Sequence, residues 1–423
     1  MVYDVAIVGA GPAGLMAAKT AAEKGLKVAL IEKKIDVSKV TRACCQQLIM
    51  DENFEGESVQ LREGKIHFPS NGFEIDYPGP TFNVTDKYYI SPSGHKIHFS
   101  YKDKRPIVIK YDKGLLLQCI LEKCEKLGVE FRNRTVAYNA TGTKEGVELS
   151  LTSGGTKTTI MAKKLIASDG VNSRIVESLG MNKERTFFTT ALCILYFMEG
   201  VKDFERTAIT SYFGLRYQSS VPVIMGPSLE DENVVCLIIM GNQKRRPEQV
   251  FQNVTTKGVL SPMFEKAKVV KKLGCSVKAY TSIKVPYQDN ILVVGDAAGY
   301  VEVEIQGGLM CGYRAGNAVC RELAGENGFE NYTDWWQTSF EFNSDDYLRV
   351  AQGFALVPTY SDDELDYLFA LIEDEVLEGT YNQYKSPKLM WDAILKHRDQ
   401  IAQERPDLYE KIESKKLTLS DVF

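Results

Sequence analysis

An apolar stretch from Tyr3 to Val8 leads into a glycine-rich turn, Gly9 to Gly14, and then a helical pattern from Pro12 to Lys24 that stops at Gly25. A second apolar stretch, Lys27 to Ile31, ends at Glu32. This order predicts a βαβ unit and so a parallel sheet. From about Gly56 to Ile109 the pattern turns to alternation rich in Gly, Pro and Tyr. IHFPSNGFEIDYPG and KYYISPSGHKIHFS read there as hairpins. Next come an amphipathic helix (Gly114 to Lys126), a strand (Val129 to Arg132) and a hairpin, VELSLTSGGTKTTIMAKKLIAS, that leads into a buried strand. Alternation returns between Thr186 and Ser282, broken by a helical stretch from Pro247 to Gly258. ILVVGDAAG restores the parallel-sheet pattern and feeds a long helix, and beyond about Asn331 the spacing is helical.

These textures predict an α/β fold, α+β overall. A discontinuous Rossmann-like nucleotide domain is expected from residues 1–55, 110–185 and 283–330. A sheet-rich substrate domain is expected from 56–109 and 186–282, and a helical region from 331–423. A length of 423 residues with 44% hydrophobic and 25% charged positions suits a globular chain of two or three domains. A net charge of −5 without basic clusters argues against nucleic-acid binding. No apolar run nears the roughly 18 residues of a spanning helix, and the N-terminus reads into a strand rather than a signal peptide. A cytoplasmic protein is expected, and peripheral membrane contact is compatible with that. Nine cysteines without C-x-x-C, many in apolar runs such as ALCILYF, read mostly as small buried hydrophobes. With only four histidines besides, no metal site is expected.

Gly9-x-Gly11-x-x-Gly14 follows a strand and opens a helix, the context a dinucleotide fingerprint requires. Gly9 suits a tight turn, Gly11 close approach of a pyrophosphate, and Gly14 close helix packing; Pro12 and Ala13 complete the turn. Glu32, followed by Lys33, stands 18 residues beyond Gly14, where a carboxylate can accept hydrogen bonds from an adenosine ribose. Two later segments also run from an apolar strand into a helix. One is LIASDGVNSRIVESLG, with Asp169, Gly170 and Arg174. The other carries Gly295 and Asp296, then Gly307, Gly308 and Leu309. Asp296 suits a sugar-alcohol hydroxyl, and the amides of a helix beginning near Gly308 suit an oxyanion.

GAGPAG with Glu32, then SDGVNSR, then GDAAG, resembles the flavin fold of the para-hydroxybenzoate hydroxylase and glutathione reductase type. IQGGLMCGYRAGNAV is similar to the geranylgeranyl reductase and FixC-like branch of that family. The resemblance covers about half of the chain. It implies FAD, with Asp296 on the ribityl chain, Asp169 and Gly170 near the pyrophosphate, and the Gly307–Gly308 helix at the N1–C2=O edge of the flavin. Arg42 falls where relatives place a base against the pyrophosphate; a solvated surface Arg is the plain alternative. Cys44 matches the family's cysteine near the flavin if Leu48 is aligned with the family leucine, although Cys45, Gln46 and Gln47 replace small residues. Cys44, Cys45 and Gln47 are therefore the catalytic candidates, against an inert buried pair. Neither the isoprenoid reductases' Y-x-W-x-F-P nor the halogenases' W-x-W-x-I-P is present; Tyr217 to Pro222 comes nearest to the first.

An FAD-dependent oxidoreductase moving a hydride between flavin N5 and a largely apolar small molecule ranks first. A monooxygenase working through a C4a-hydroperoxide and a non-catalytic flavin-binding module are the alternatives. With no second fingerprint, electrons are expected from transient NAD(P)H or an external carrier, which makes a redox protein a possible partner. Tyr212, Tyr217, Glu302 and Glu304 are acid candidates by chain position, the two glutamates fitting a solvated loop equally. Trp335, Trp336, Tyr347, Phe354 and Trp391 read as helical core, or as cover for the pocket or a dimer contact.

Overall fold

The run VYDVAIV forms the strand Val2–Val8, buried on both faces over most of its length, as a central parallel strand requires. A computed structural model describes residues 2–143, 145–300, 302–343 and 356–414. Its parallel strands order as Glu130–Arg132, Val28–Ile31, Val2–Val8, Thr156–Ala167 and Ile291–Val293. Thr135–Thr143 and Gly146–Ser153 extend this sheet as antiparallel strands. The helices Pro12–Glu23 and Glu304–Leu323 pack together at unusually close range. A Cβ on Gly312 would lie 2.2 Å from the Ala13 carbonyl oxygen, so only glycine lets the two backbones approach this far.

A second sheet of eight strands supplies the opposite wall of the molecule's main cavity. Its order is Lys268–Tyr280, Phe187–Glu199, Val234–Gly241, Val223–Pro227, Ala208–Tyr212, Asp86–Ile90, Lys96–Ser100 and Val376–Glu378. The last strand lies in the region read as wholly helical. At three residues on a sheet edge it is too short to leave a periodic signature. Residues 56–109 divide their packing. Val59, Ile66, Phe68, Ile75 and Tyr77 join the core of the nucleotide sheet, whereas Asp86–Ile90 and Lys96–Ser100 belong to the second sheet.

The C-terminal helices back the second sheet, with Leu365, Phe369, Met390 and Ile401 packed among Tyr89, Phe99 and Phe213. Trp336 is fully buried and its Nε1 donates to the Ile283 carbonyl at 2.8 Å. Trp335 packs against the nucleotide core and Trp391 against the C-terminal one. Tyr347 and Phe354 lie outside the described residues. No helix among the described residues is long and apolar enough to cross a membrane.

Candidate active site

Gly9 holds φ +95°, and a Cβ there would lie 2.5 Å from the Ser168 carbonyl oxygen. One on Gly14 would lie 1.7 Å from the Gly9 oxygen. Both positions therefore exclude a side chain for reasons internal to the fold. Gly11 differs: a Cβ there meets no atom within 4 Å, and the residue lines a cavity of about 690 Å³. Gly11 is the N-cap of Pro12–Glu23, and no side chain caps the first amides. Free N–H groups at the positive end of a helix, beside a glycine open to the cavity, suit a diphosphate. Glu32 is buried in the same wall. Its Oε2 accepts from the Ala10 amide at 2.7 Å and its Oε1 from the Lys34 amide at 2.8 Å. A carboxylate has about four acceptor positions, which leaves capacity for ribose hydroxyls. These features fit an adenine dinucleotide.

Beside Gly9, Asp169 turns its carboxylate into its own loop. Oδ1 accepts from the Ser173 hydroxyl at 2.6 Å and Oδ2 from the Arg174 amide at 2.8 Å. Burial raises its pKa, and these hydrogen bonds oppose the rise. The Asp169 side chain thus shapes the turn that carries Gly170 to the wall. Arg42, Lys33, Gly295 and Asp296 also line the cavity. Burial works against the Arg42 charge, but Asp296, Cys275 and Glu302 outweigh it and hold the guanidinium protonated. Asp296 Oδ1 accepts from the Val303 amide at 2.9 Å, which ties the GDAAG turn to the next helix.

That helix starts at Glu304, one turn earlier than the glycine pair suggests. Its uncapped amides accordingly precede Gly307. Gly308 reaches the cavity beside Pro12, whereas a Cβ on Gly307 would meet the Phe340 ring at 3.0 Å, and Leu309 is wholly buried. Gly14, Gly307 and Leu309 shape the fold around the cavity rather than its surface. Glu302 and Glu304 do line it. Glu302 keeps an exposed surface at the cavity wall, yet the protein atoms around it, then Asp296, push its pKa up to about 7. Glu304 is raised further by burial and by Glu302 and Asp296; its Oε1 lies 3.5 Å from Gln383 Nε2. Tyr212 and Tyr217 lie elsewhere, edge to face in a separate core, with the Tyr217 hydroxyl donating to the Ser91 carbonyl.

Cys44, Cys45 and Gln47 reach the cavity together because Gln46 bends the chain at φ +50°. Cys44 Sγ lies 3.8 Å from Lys113 Nζ, and Gln47 Oε1 accepts from Lys110 Nζ at 3.2 Å. Burial pushes the Cys45 thiol far up, so it stays neutral. Beyond these residues the wall turns apolar: Leu192, Leu195, Phe213, Ile224, Ile238 and Met240.

Several lining residues carry no local signal in the sequence. Lys87 is buried, donates to Ser386 Oγ at 2.6 Å and stands 4.9 Å from the Tyr89 ring centroid. Glu55, Tyr381, Gln383 and Tyr384 arrive from distant loops. A second groove, about 500 Å³, lies beside Arg314 and Arg321 at the C-terminal half of the helix Glu304–Leu323, and none of the candidate site residues lines it.

A model of the FAD binding domain family matches residues 2–324. The chain belongs to that family. It is an FAD-dependent oxidoreductase, and its fold is shared by a geranylgeranyl reductase-like structure and by flavin-dependent monooxygenases. The digeranylgeranylglycerophospholipid reductase of Methanococcus vannielii is 26% identical over 80% of this chain and 82% of its own. The Methanosarcina acetivorans enzyme of that name is 25% identical, over 94% and 97%. This likeness extends well beyond the half of the chain that carries the motifs. A geranylgeranyl bacteriochlorophyll reductase-like structure from Thermoplasma acidophilum superposes with a TM-score of 0.73 at 19% identity, covering 98% of this chain and 99% of that one. A flavin-dependent monooxygenase, PieE, in complex with FAD and substrate gives 0.60 at 15% identity, covering 94% and 72%.

Proposed function

We propose that this flavoprotein reduces carbon–carbon double bonds in a largely apolar, isoprenoid-like small molecule. The observation that carries this reading is the continuity of the cavity, from the uncapped amides at Gly11 to a chamber walled by Leu192, Leu195, Ile224, Ile238 and Met240. The names of the methanogen relatives point the same way. Bound FAD supplies a two-electron hydride at N5. In this reading Gly9, Gly11, Pro12 and Ala13 receive the pyrophosphate, with Arg42 across from them and Gly170 beside it. Glu32 takes the ribose, Asp296 the ribityl hydroxyls, and Gly14 keeps the helix close.

Reduction of an alkene also needs a proton at the second carbon. Glu302 and Glu304 are suited to hold one, since burial keeps a carboxyl oxygen protonated nearer neutrality than in water. Cys44, Cys45 and Gln47 form the polar side of the chamber, with Lys110 fixing the Gln47 amide.

The test is anaerobic. Chemically reduced holoprotein mixed with a lipid bearing geranylgeranyl chains should regain oxidised-flavin absorbance, and each saturated bond should add two hydrogens to the lipid mass. Absorbance that returns only with oxygen, together with an oxygenated product, would replace the reductase with a monooxygenase. Single-turnover reduction by NAD(P)H, compared with a low-potential electron carrier, identifies the donor.

A further inference from the structure

Four of the nine thiols line the cavity: Cys44 and Cys45 on the turn, Cys193 and Cys275 on the sheet. The apolar run ALCILYF reads Cys193 as a small hydrophobe in a strand. Its partner across the ladder gives a different picture. Phe187–Glu199 and Lys268–Tyr280 run antiparallel with Cys193 directly opposite Cys275. Directly opposed residues share a face, with Cα atoms about 4.5 or 5.5 Å apart. Both values fall inside the span of about 4.4–6.8 Å that a disulfide occupies.

Ala191, Cys193 and Leu195 on one strand, and Cys275, Val277 and Ala279 on the other, all line the cavity, so the pair is open to it. Arg42 and the Cys193 thiol are the polar groups that act on Cys275. The neighbouring Cys193 side chain, with Arg42 added and burial opposing, holds Cys275 below the ordinary thiol value; Cys193 is raised correspondingly. A thiolate under a cation, beside a second thiol, is the arrangement of an attacking and a resolving cysteine.

We propose that Cys193 and Cys275 form a redox-active pair that closes to a disulfide across the two strands by exchange with a low-molecular-weight disulfide. The Cys275 thiolate attacks one sulfur of that disulfide, whose other sulfur leaves as a thiolate. Cys193 then gives up its proton and attacks the Cys275 sulfur, expelling the second half of the reagent. Two protein thiols are oxidised to one disulfide, the reagent is reduced to a dithiol, and one proton comes from water. Closure removes the negative charge beside Arg42 and leaves its guanidinium to the phosphates of FAD, so the oxidised form should hold the flavin more tightly.

The test uses full-length holoprotein equilibrated in oxidised or reduced dithiothreitol, alkylated, digested and weighed by mass spectrometry. Oxidation should protect two thiols and link the Cys193 peptide to the Cys275 peptide. Cys193→Ser and Cys275→Ser should each abolish the link, whereas Cys119→Ser on the helix Lys113–Lys126 should keep it. If a serine variant fails to fold, the wild-type peptide map decides by itself. Nine alkylated thiols in both buffers, or a link between Cys44 and Cys45, would overturn the assignment. FAD should dissociate at least threefold more slowly from the oxidised form; equal rates would sever the connection to Arg42.

Discussion

At the glycine-turn end of the cavity, the end proposed for phosphate, the wall is largely backbone: Gly9, Ala10, Gly11 and the first amides of Pro12–Glu23, with Glu32 buried beside them. At the far end the wall is side chains from the second sheet, the GDAAG loop and residues 381–384. Backbone cradles fix a phosphate wherever the turn forms, whereas a side-chain chamber takes its shape from packing among remote segments. The first end is set by local sterics, which exclude a side chain at Gly9 and Gly14. The second holds buried ionisable groups at the expense of stability, as functional chambers do.

The largest contrast lies within one motif. Gly14→Val should prevent native folding, a loss above about 4 kcal/mol, because a Cβ at 1.7 Å from a carbonyl oxygen forces the helix off the sheet. Gly11→Leu meets open space and should fold with normal circular dichroism, yet purify without flavin. A yellow, stoichiometric Gly11→Leu protein would show that the cradle lies elsewhere.

Glu55 tests the far end. It is 4% exposed, and burial raises its carboxyl from 4.5 to about 8. The native state therefore binds this proton more tightly than the unfolded chain does. Its contribution to stability is complete below pH 4.5 and is lost as pH climbs through about 8. Glu55→Gln should stabilise the protein at pH 8 by on the order of 2–4 kcal/mol and flatten the slope between those limits. Parallel urea melts of the two proteins across that range check it. Identical slopes would mean that Glu55 is ionised in the native state.

Glu32→Ala should act on binding and leave the fold intact. Loss of charged hydrogen bonds to the ribose weakens FAD affinity by about 1–3 kcal/mol, or roughly 5- to 150-fold. Calorimetry on apoprotein measures it. An unchanged constant would free Glu32 from any role beyond holding the Ala10 and Lys34 amides.

The same contrast explains what could be read from the chain. The cradle was legible because its parts are neighbours: the first strand, the glycines and Glu32 lie within 32 residues, and each strand and helix there formed within a residue or so of its expected limits. The helix start at Glu304 was misjudged because Gly307 and Gly308 look like a turn but serve close packing against Phe340 and Pro12. Asp169 signalled a turn, but not that its carboxylate would be spent on Ser173 and Arg174. Tyr212 alternates with the cavity residues Ser211 and Phe213 and so faces away, a distinction that strand register decides, while Tyr217 sits on a short turn beyond the strand. Lys87, Glu55 and Tyr384 meet only through tertiary packing, so no spacing in the chain announces them.

Cys44 sits where the two ends meet, and it carries the smallest expected effect. Its thiol lies 3.8 Å from the Lys113 ammonium in the wall beside Cys45, whose own thiol burial keeps neutral. Replacing it by alanine removes one polarizable group and leaves the backbone bend at Gln46 in place, so holoprotein should form normally. If the flavin ring lies against this wall, Cys44→Ala should shift the visible spectrum by a few nanometres and change the rate of hydride transfer by about tenfold or less, on the order of 1 kcal/mol. The split between constants is informative: a change in kcat with KM intact places the thiol at the ring, while a change in KM alone places it in the substrate chamber. If neither constant changes, Cys44 returns to ordinary packing and the junction of the two ends moves toward Tyr300 and Tyr384, which also line the cavity.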